Sequence, residues 1–160
     1  MYSQREIMWE EHLLWFQRMQ ADARKHWYLY LNQENEPSGV VYFIESNFDH
    51  AIAFWGFYAN PNAIPGTGIR MSLDALDCGF NELGIQKLNA EVLASSQRSL
   101  QMHKKVGFIQ EGCFRQQYFN GETRLDVIRF GMLASEWPQK RLSLEARIME
   151  LDLHISQHHK

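Results

Sequence analysis

The stretch from Ala51 to Leu83 constrains this chain more than any other, because strand, glycine loop and helix follow one another directly. Ala51–Ala59 (AIAFWGFYA) is built of strand-forming residues and interrupted by Gly56, and a glycine within a strand marks a bulge or a close backbone approach. A bulge is expected here. Beyond Asn60-Pro61 the loop carries Gly66-Thr67-Gly68. Ile69, Leu73, Leu76, Phe80 and Leu83 then recur at spacings of four, three, four and three, the signature of a helix. Gly84 stands where a C-terminal cap belongs. A glycine loop entering a helix leaves backbone N–H groups unpaired at the positive end of the helix dipole, which suits a phosphate or pyrophosphate. The loop is too short for a Walker P-loop and lacks the third glycine of a dinucleotide fingerprint. Taken alone, an ordinary turn before a helix fits it as well.

The flanking segments complete one domain. Residues 7–20 place Trp9, Leu13 and Phe16 on one face of an amphipathic helix. Residues 27–31 and 40–45 read as an antiparallel hairpin, and 85–93 as a strand with Leu88, Ala90 and Val92 on one side. A short helix runs from Ser96 to about Lys105. Two strands, 108–119 and 122–133, meet at Asn120-Gly121, a favoured hairpin turn. Pro138 opens a last helix. The order α-β-β-β-α-β-α-β-β-α describes a mixed α/β (α+β) domain around one sheet. The last helix carries two apolar stripes, Leu142/Ala146/Met149/Leu153 and Leu144/Ile148/Leu151/Ile155. One stripe suffices to dock a helix on its own domain, so the other is a candidate homodimer contact. The tail HISQHHK reads as a solvated terminus rather than a metal site, and no metal is expected.

Composition excludes several functions. A net charge of −3 and a pI near 6.1 give no general attraction to nucleic acid or anionic membrane. No apolar run approaches a membrane span and no signal peptide precedes the first helix. Cys78 and Cys113 are read as reduced thiols of a cytoplasmic protein.

A second motif sharpens the first. In Ser96–Phe108 (SQRSLQMHKKVGF) a polar residue, Ser96, opens a helix, a small residue follows at Ser99, a ring residue at His103, and Gly107-Phe108 leads into the next strand. Together with the Gly66-Thr67-Gly68 loop, this resembles the signature of the GNAT (Gcn5-related) N-acetyltransferase superfamily, in the order and separation that superfamily shows. The resemblance covers roughly residues 7–137, which would form the acetyltransferase domain, with 138–160 as its C-terminal helix and tail. It implies a mostly antiparallel mixed sheet flanked by helices, whose first strand and helix are expected to be missing here. EEHLLWF at 10–16, WGFYANP at 55–61 and the glycine loop are most similar to the pseudaminic acid biosynthesis branch, which implies acetylation of the 4-amino group of a UDP-4-amino-4,6-dideoxy sugar. GFIQEG at 107–112 and DVIRFGML at 126–133 are also similar to ribosomal-protein N-terminal acetyltransferases, the second reading. A non-catalytic acyl-CoA-binding module is the third.

The resemblance implies roles by position. Acetyl-CoA would be held by Phe57, Ala59, Ile64, Gly66, Thr67, Gly68, Ile69, Ser96, Ser99 and His103. A backbone N–H near Leu93, or at a bulge on Gly56, would bind the oxyanion. His103 occupies the general-acid position, where tyrosine is usual. Glu45 is the candidate base, and Trp55, His50 and Arg115 the candidate acceptor contacts, with Trp55 stacking on uracil. Glu111, Tyr118 and Asp126 are alternative bases, and Arg124 and Arg129 alternative diphosphate ligands. Two positions depart from the pattern: Ala63 stands where Gln or Arg is usual, and Ser96 where Asn is usual.

Overall fold

The computed structural model describes residues 8–47 and 49–158, without the side chains of Ser46, Ile155, Ser156 and His158. The expected helix start at residue 7 and the end of the histidine-rich tail lie outside the described residues. The elements are α1 (Trp9–Gln20), β1 (Lys25–Leu31), β2 (Pro37–Asn47), β3 (Ile52–Ala59), α2 (Thr67–Asp77), β4 (Lys87–Leu93), α3 (Gln97–Val106), β5 (Ile109–Phe119), β6 (Arg124–Leu133) and α4 (Trp137–His158). One six-stranded sheet has the order β1-β2-β3-β4-β6-β5, antiparallel throughout except at β3–β4.

Alternation along the strands gives the sheet two faces. On one, Val41, Phe43, Ala53, Trp55, Leu88, Ala90, Val92, Phe130 and Met132 meet α2, α3 and α4 and form the core. On the other, α1 lies over β1, its Trp15 edge-on to Trp27, which stacks on Tyr42. The aromatic side chains of β1, β2 and β3 thus divide between two environments.

Helix α2 follows the expected apolar period, but at Cys78–Glu82 it widens into a π turn. Leu83 N–H donates to Cys78 C=O at 2.9 Å, five residues back. At this turn Gly79 comes down on Phe43, where a Cβ would stand 3.0 Å from the ring. Helix α3 ends as its sequence requires: Gly107 takes φ +108 and its N–H, with that of Phe108, caps His103 C=O, the left-handed closure glycine permits.

Two expectations are corrected. Gly56 is not at a bulge; it pairs regularly with Tyr42, and the register shift in this hairpin falls between Glu45 and Asn47. Close approach is the reason for the glycine, since a Cβ there would lie 2.2 Å from Tyr42 Cζ and Oη. The β5–β6 connection is a loop over Asn120–Thr123, closed by Asn120 N–H to Thr123 C=O at 3.1 Å, with Asn120 Oδ1 accepting from the Glu122 and Thr123 N–H groups.

Candidate active site

The parallel pair β3–β4 is joined at only three positions, Ile52–Lys87, Ala53–Leu88 and Phe54–Asn89. Past Phe54 and Asn89 the strands part. The inner edges of residues 55–59 and 90–93 therefore have no ladder partner across the gap, and backbone donors and acceptors stay available there. The open end of this wedge leads from Ala59 to the glycine loop.

The loop is tightened by its own backbone and by Thr67. Thr67 N–H and Oγ1 both donate to Ile64 C=O, at 3.1 and 2.8 Å. Gly66 caps α2 with φ +89, a conformation that excludes most side chains. Its C=O accepts from the Ile69 and Arg70 N–H groups. The N–H groups of Gly66 and Gly68 find no acceptor among the described residues. Gly68 also lets α3 close in, because a Cβ there would stand 3.3 Å from Met102 Cε.

The next residue of α3, His103, lies under the wedge. It is 4% exposed and ringed by Trp55, Phe57, Phe108 and Phe130, with centroids between 5.4 and 5.9 Å. Its Nδ1 is 2.8 Å from Ser99 C=O. A carbonyl only accepts, so Nδ1 carries the proton and Nε2 presents a lone pair. Burial pushes the imidazole below its ordinary pKa, partly offset by the Ser99 hydrogen bond. At neutral pH the ring is therefore neutral.

The structure gathers some of the expected site residues and separates others. Phe57, Ala59, Ile64, Gly66, Thr67, Gly68, Ile69, Ser99 and His103 belong to the wedge, the loop or the α3 floor. Ser96 is the α3 N-cap residue, but its hydroxyl makes no cap bond. Trp55 is 4% exposed and stacks on Phe108 at 5.1 Å. Its ring faces are spoken for by the core, so base stacking there is corrected; its indole N–H has no acceptor among the described residues. Glu45 sits opposite Ala53, where β3 and β4 are still bonded, and its carboxylate is 2.9 Å from His26 Nε2. His50 is exposed in the following turn, and Arg115 in a bulge of β5. That bulge is pinned by Asp126, whose Oδ1 accepts from Gln116 N–H at 2.7 Å.

Sequence reasoning missed the aromatic face on the α1 side. There Trp27, Tyr42 and Tyr58 form a series of rings. Nearby, Arg129 packs over Phe54 and Phe114 and pairs with Glu91 at 2.6 Å. Glu91 lies on the splayed part of β4. Only strand pairing assigns these residues to one face. A hollow of about 250 Å³ between β1 and α2, lined by Tyr28, Val41, Phe43, Met71 and Cys78, lies away from the wedge.

No protein-family model matches the chain. Among curated proteins it is 32% identical over 104 residues to the SPbeta prophage-derived N-acetyltransferase YokL of Bacillus subtilis, covering 62% of this chain and 59% of that one. It is 28% identical over 101 residues to spermidine N(1)-acetyltransferase of Vibrio cholerae, covering 62% and 58%. It is 26% identical over 102 residues to acetyltransferase PseH of Campylobacter jejuni, covering 64% and 62%. The matched part thus spans less than two thirds of the length of these relatives. Among solved structures, spermidine N-acetyltransferase from Vibrio cholerae in complex with CoA and spermine superposes with a TM-score of 0.78 at 20% identity, over 85% of this chain and 81% of that one. The chain has the GNAT fold, and its sequence relatives are N-acetyltransferases of that superfamily.

Proposed function

We propose that this chain is an acetyl-CoA-dependent N-acetyltransferase. The observation that carries the reading is the wedge itself: β3 and β4 part after three residue pairs, with the glycine-capped start of α2 at the open end and His103 beneath. The wedge supports a pantetheine arm bonded to the free edge of β3 around Phe57–Ala59. Gly66 and Gly68 N–H groups suit the diphosphate, and a β4 N–H near Leu93 suits the oxyanion. The amine nitrogen attacks the thioester carbonyl, the tetrahedral intermediate collapses, and the C–S bond breaks to leave the amide and a thiolate. One proton must leave the amine and one must reach the sulfur. A neutral His103 with Nε2 free can accept the first and deliver the second, so we assign it the shuttle in place of a resting general acid. Glu45, engaged by His26, is the less suitable base.

For the acceptor we propose a UDP-4-amino-4,6-dideoxy sugar. The stretches at 10–16 and 55–61 and the match to PseH support it, and the Trp27–Tyr42–Tyr58 rings suit a stacked base. A second reading, a polyamine, is favoured by the spermidine acetyltransferase match. Free-thiol release from acetyl-CoA should be followed with the UDP-amino sugar, spermidine and ribosomal-protein N-terminal peptides in parallel. Release with the sugar alone is expected. Release with spermidine or peptides alone would reassign the acceptor, and tight binding without any release would reduce the chain to an acyl-CoA-binding module. Self-association through α4 and a cytoplasmic location belong to the same proposal.

A further inference from the structure

Ala63 offers no polar side chain where the superfamily pattern has Gln or Arg, yet a cation does reach the loop from elsewhere. Arg70 lies in the first turn of α2, and helical side chains lean back toward the N-terminus. Its guanidinium accordingly stands on the side-chain side of Gly66: a Cβ built on that glycine would be 2.5 Å from Arg70 Nη1. Nη2 engages Asp152 of α4. Nη1 is buried and has no acceptor among the described residues. An N–H buried without an acceptor is costly, and native structures rarely leave one without a purpose. Around the same glycine, the Gly66 and Gly68 N–H groups also lack acceptors among the described residues. Two backbone donors and one guanidinium donor thus cluster at the positive end of a helix, a set whose shared complement is an oxyanion carrying more than one oxygen.

We propose that Arg70 supplies the side-chain contact to the cofactor's diphosphate through Nη1, while Asp152, a positioning residue on α4, orients the guanidinium through Nη2. This rests on the acetyl-CoA reading above and deepens it: an arginine seven positions downstream takes over the contact that Ala63 cannot make. It also gives α4 a part in cofactor binding, since Leu151 of the same helix approaches Gly66, 3.5 Å from where its Cβ would stand. Lysine is a poor replacement, because a single ammonium cannot hold Asp152 and a phosphate oxygen in the fixed geometry of the guanidinium fork.

The test compares CoA with pantetheine, which has the same thiol arm and no diphosphate, by calorimetry on the full chain. Arg70→Gln is expected to raise the Kd for CoA by about 10- to 100-fold, the range for a lost charge-assisted hydrogen bond, and to leave that for pantetheine within about twofold. Arg70→Lys should recover only part of the loss. Unchanged CoA affinity in Arg70→Gln, or equal weakening of CoA and pantetheine, overturns the proposal. Should the variants fail to fold, 15N resonances of the Arg70 guanidinium in the wild-type chain provide the second measurement. They are expected to shift and saturate on titration with inorganic pyrophosphate, and no shift overturns the assignment. Wild-type protein that binds pyrophosphate at Arg70 but not CoA would leave this anion site standing and defeat the acetyl-CoA reading.

Discussion

His103 is where the chemistry of a single residue can be read most directly. Four aromatic rings surround it and its Nδ1–H donates to Ser99 C=O; burial outweighs that bond, so the folded protein holds it neutral and below its ordinary pKa. The unfolded chain, by contrast, protonates this histidine near its usual value of about 6.5. Below that pH the unfolded state binds more protons than the native one, so stability falls as pH drops and is flat above it. Thermal melts should show this acid-side loss, and His103→Gln should flatten it. Activity adds a second readout. If His103 receives the amine's proton, kcat/KM falls on the acid side as the ring becomes charged; a resting general acid would give the opposite slope. The sequence singles this histidine out within the motif of α3, but its protonation state depends on tautomer and burial, which no spacing records. Trp55 illustrates the same gap. Next to Gly56 it looked like a wall of the acceptor site, yet alternation sends it into the core against Phe108.

At the scale of elements, the join between α2 and α4 decides how firmly the last helix is held. Asp77, the final residue of α2, accepts from Trp137 Nε1 at 2.8 Å and from Arg141 Nε at 2.9 Å. Trp137 is 2% exposed, so Asp77→Ala strands a buried indole N–H and should cost about 1–3 kcal/mol in urea unfolding. Arg141 is partly exposed and also pairs with Glu145; Arg141→Ala should cost well under about 1 kcal/mol. Equal losses would show that the ion pair, and not the indole, anchors α4. Helix α2 was legible because Ile69, Leu73, Leu76 and Phe80 keep the helical period. The π turn after it was not, since one widened turn leaves the apolar spacing almost intact. The β5 bulge escaped for a different reason: it is set by Asp126 on the neighbouring strand, and a contact between strands has no trace in local sequence.

At the scale of the molecule, α4 shows which of its two stripes the domain uses. Leu144 is buried at 1%, while Leu142, Met149 and Leu153 are 67%, 65% and 63% exposed. The stripe of Leu144 docks, and the stripe of Leu142, Met149 and Leu153 presents three large apolar side chains along one helix face, a pattern that suits association. Wild-type chain at tens of micromolar should sediment as a dimer or larger species, and Leu142→Glu combined with Met149→Glu should give a monomer of unchanged melting temperature. A wild-type monomer would remove the Leu142/Met149/Leu153 stripe from any role in assembly. The element order and the core period of this molecule could be read from its residues one segment at a time. Which residues share a face could not, and the acceptor side proposed here consists of such shared faces.

The same limit gives the parting of β3 and β4 a mechanical meaning. Among the described residues, three ladder pairs and the adjoining Gln86 N–H to Ala51 C=O bond form the backbone seam between two leaves of three strands each, β1-β2-β3 and β4-β6-β5. Elsewhere the leaves are tied by α2 and α3 packing across them. A molecule that bonds to both inner edges works like the thread in a book's spine: it adds stitches where the sheet has none, and the stiffness it confers is shared by both covers. Occupancy of this cleft is thereby communicated to strands that never touch the ligand.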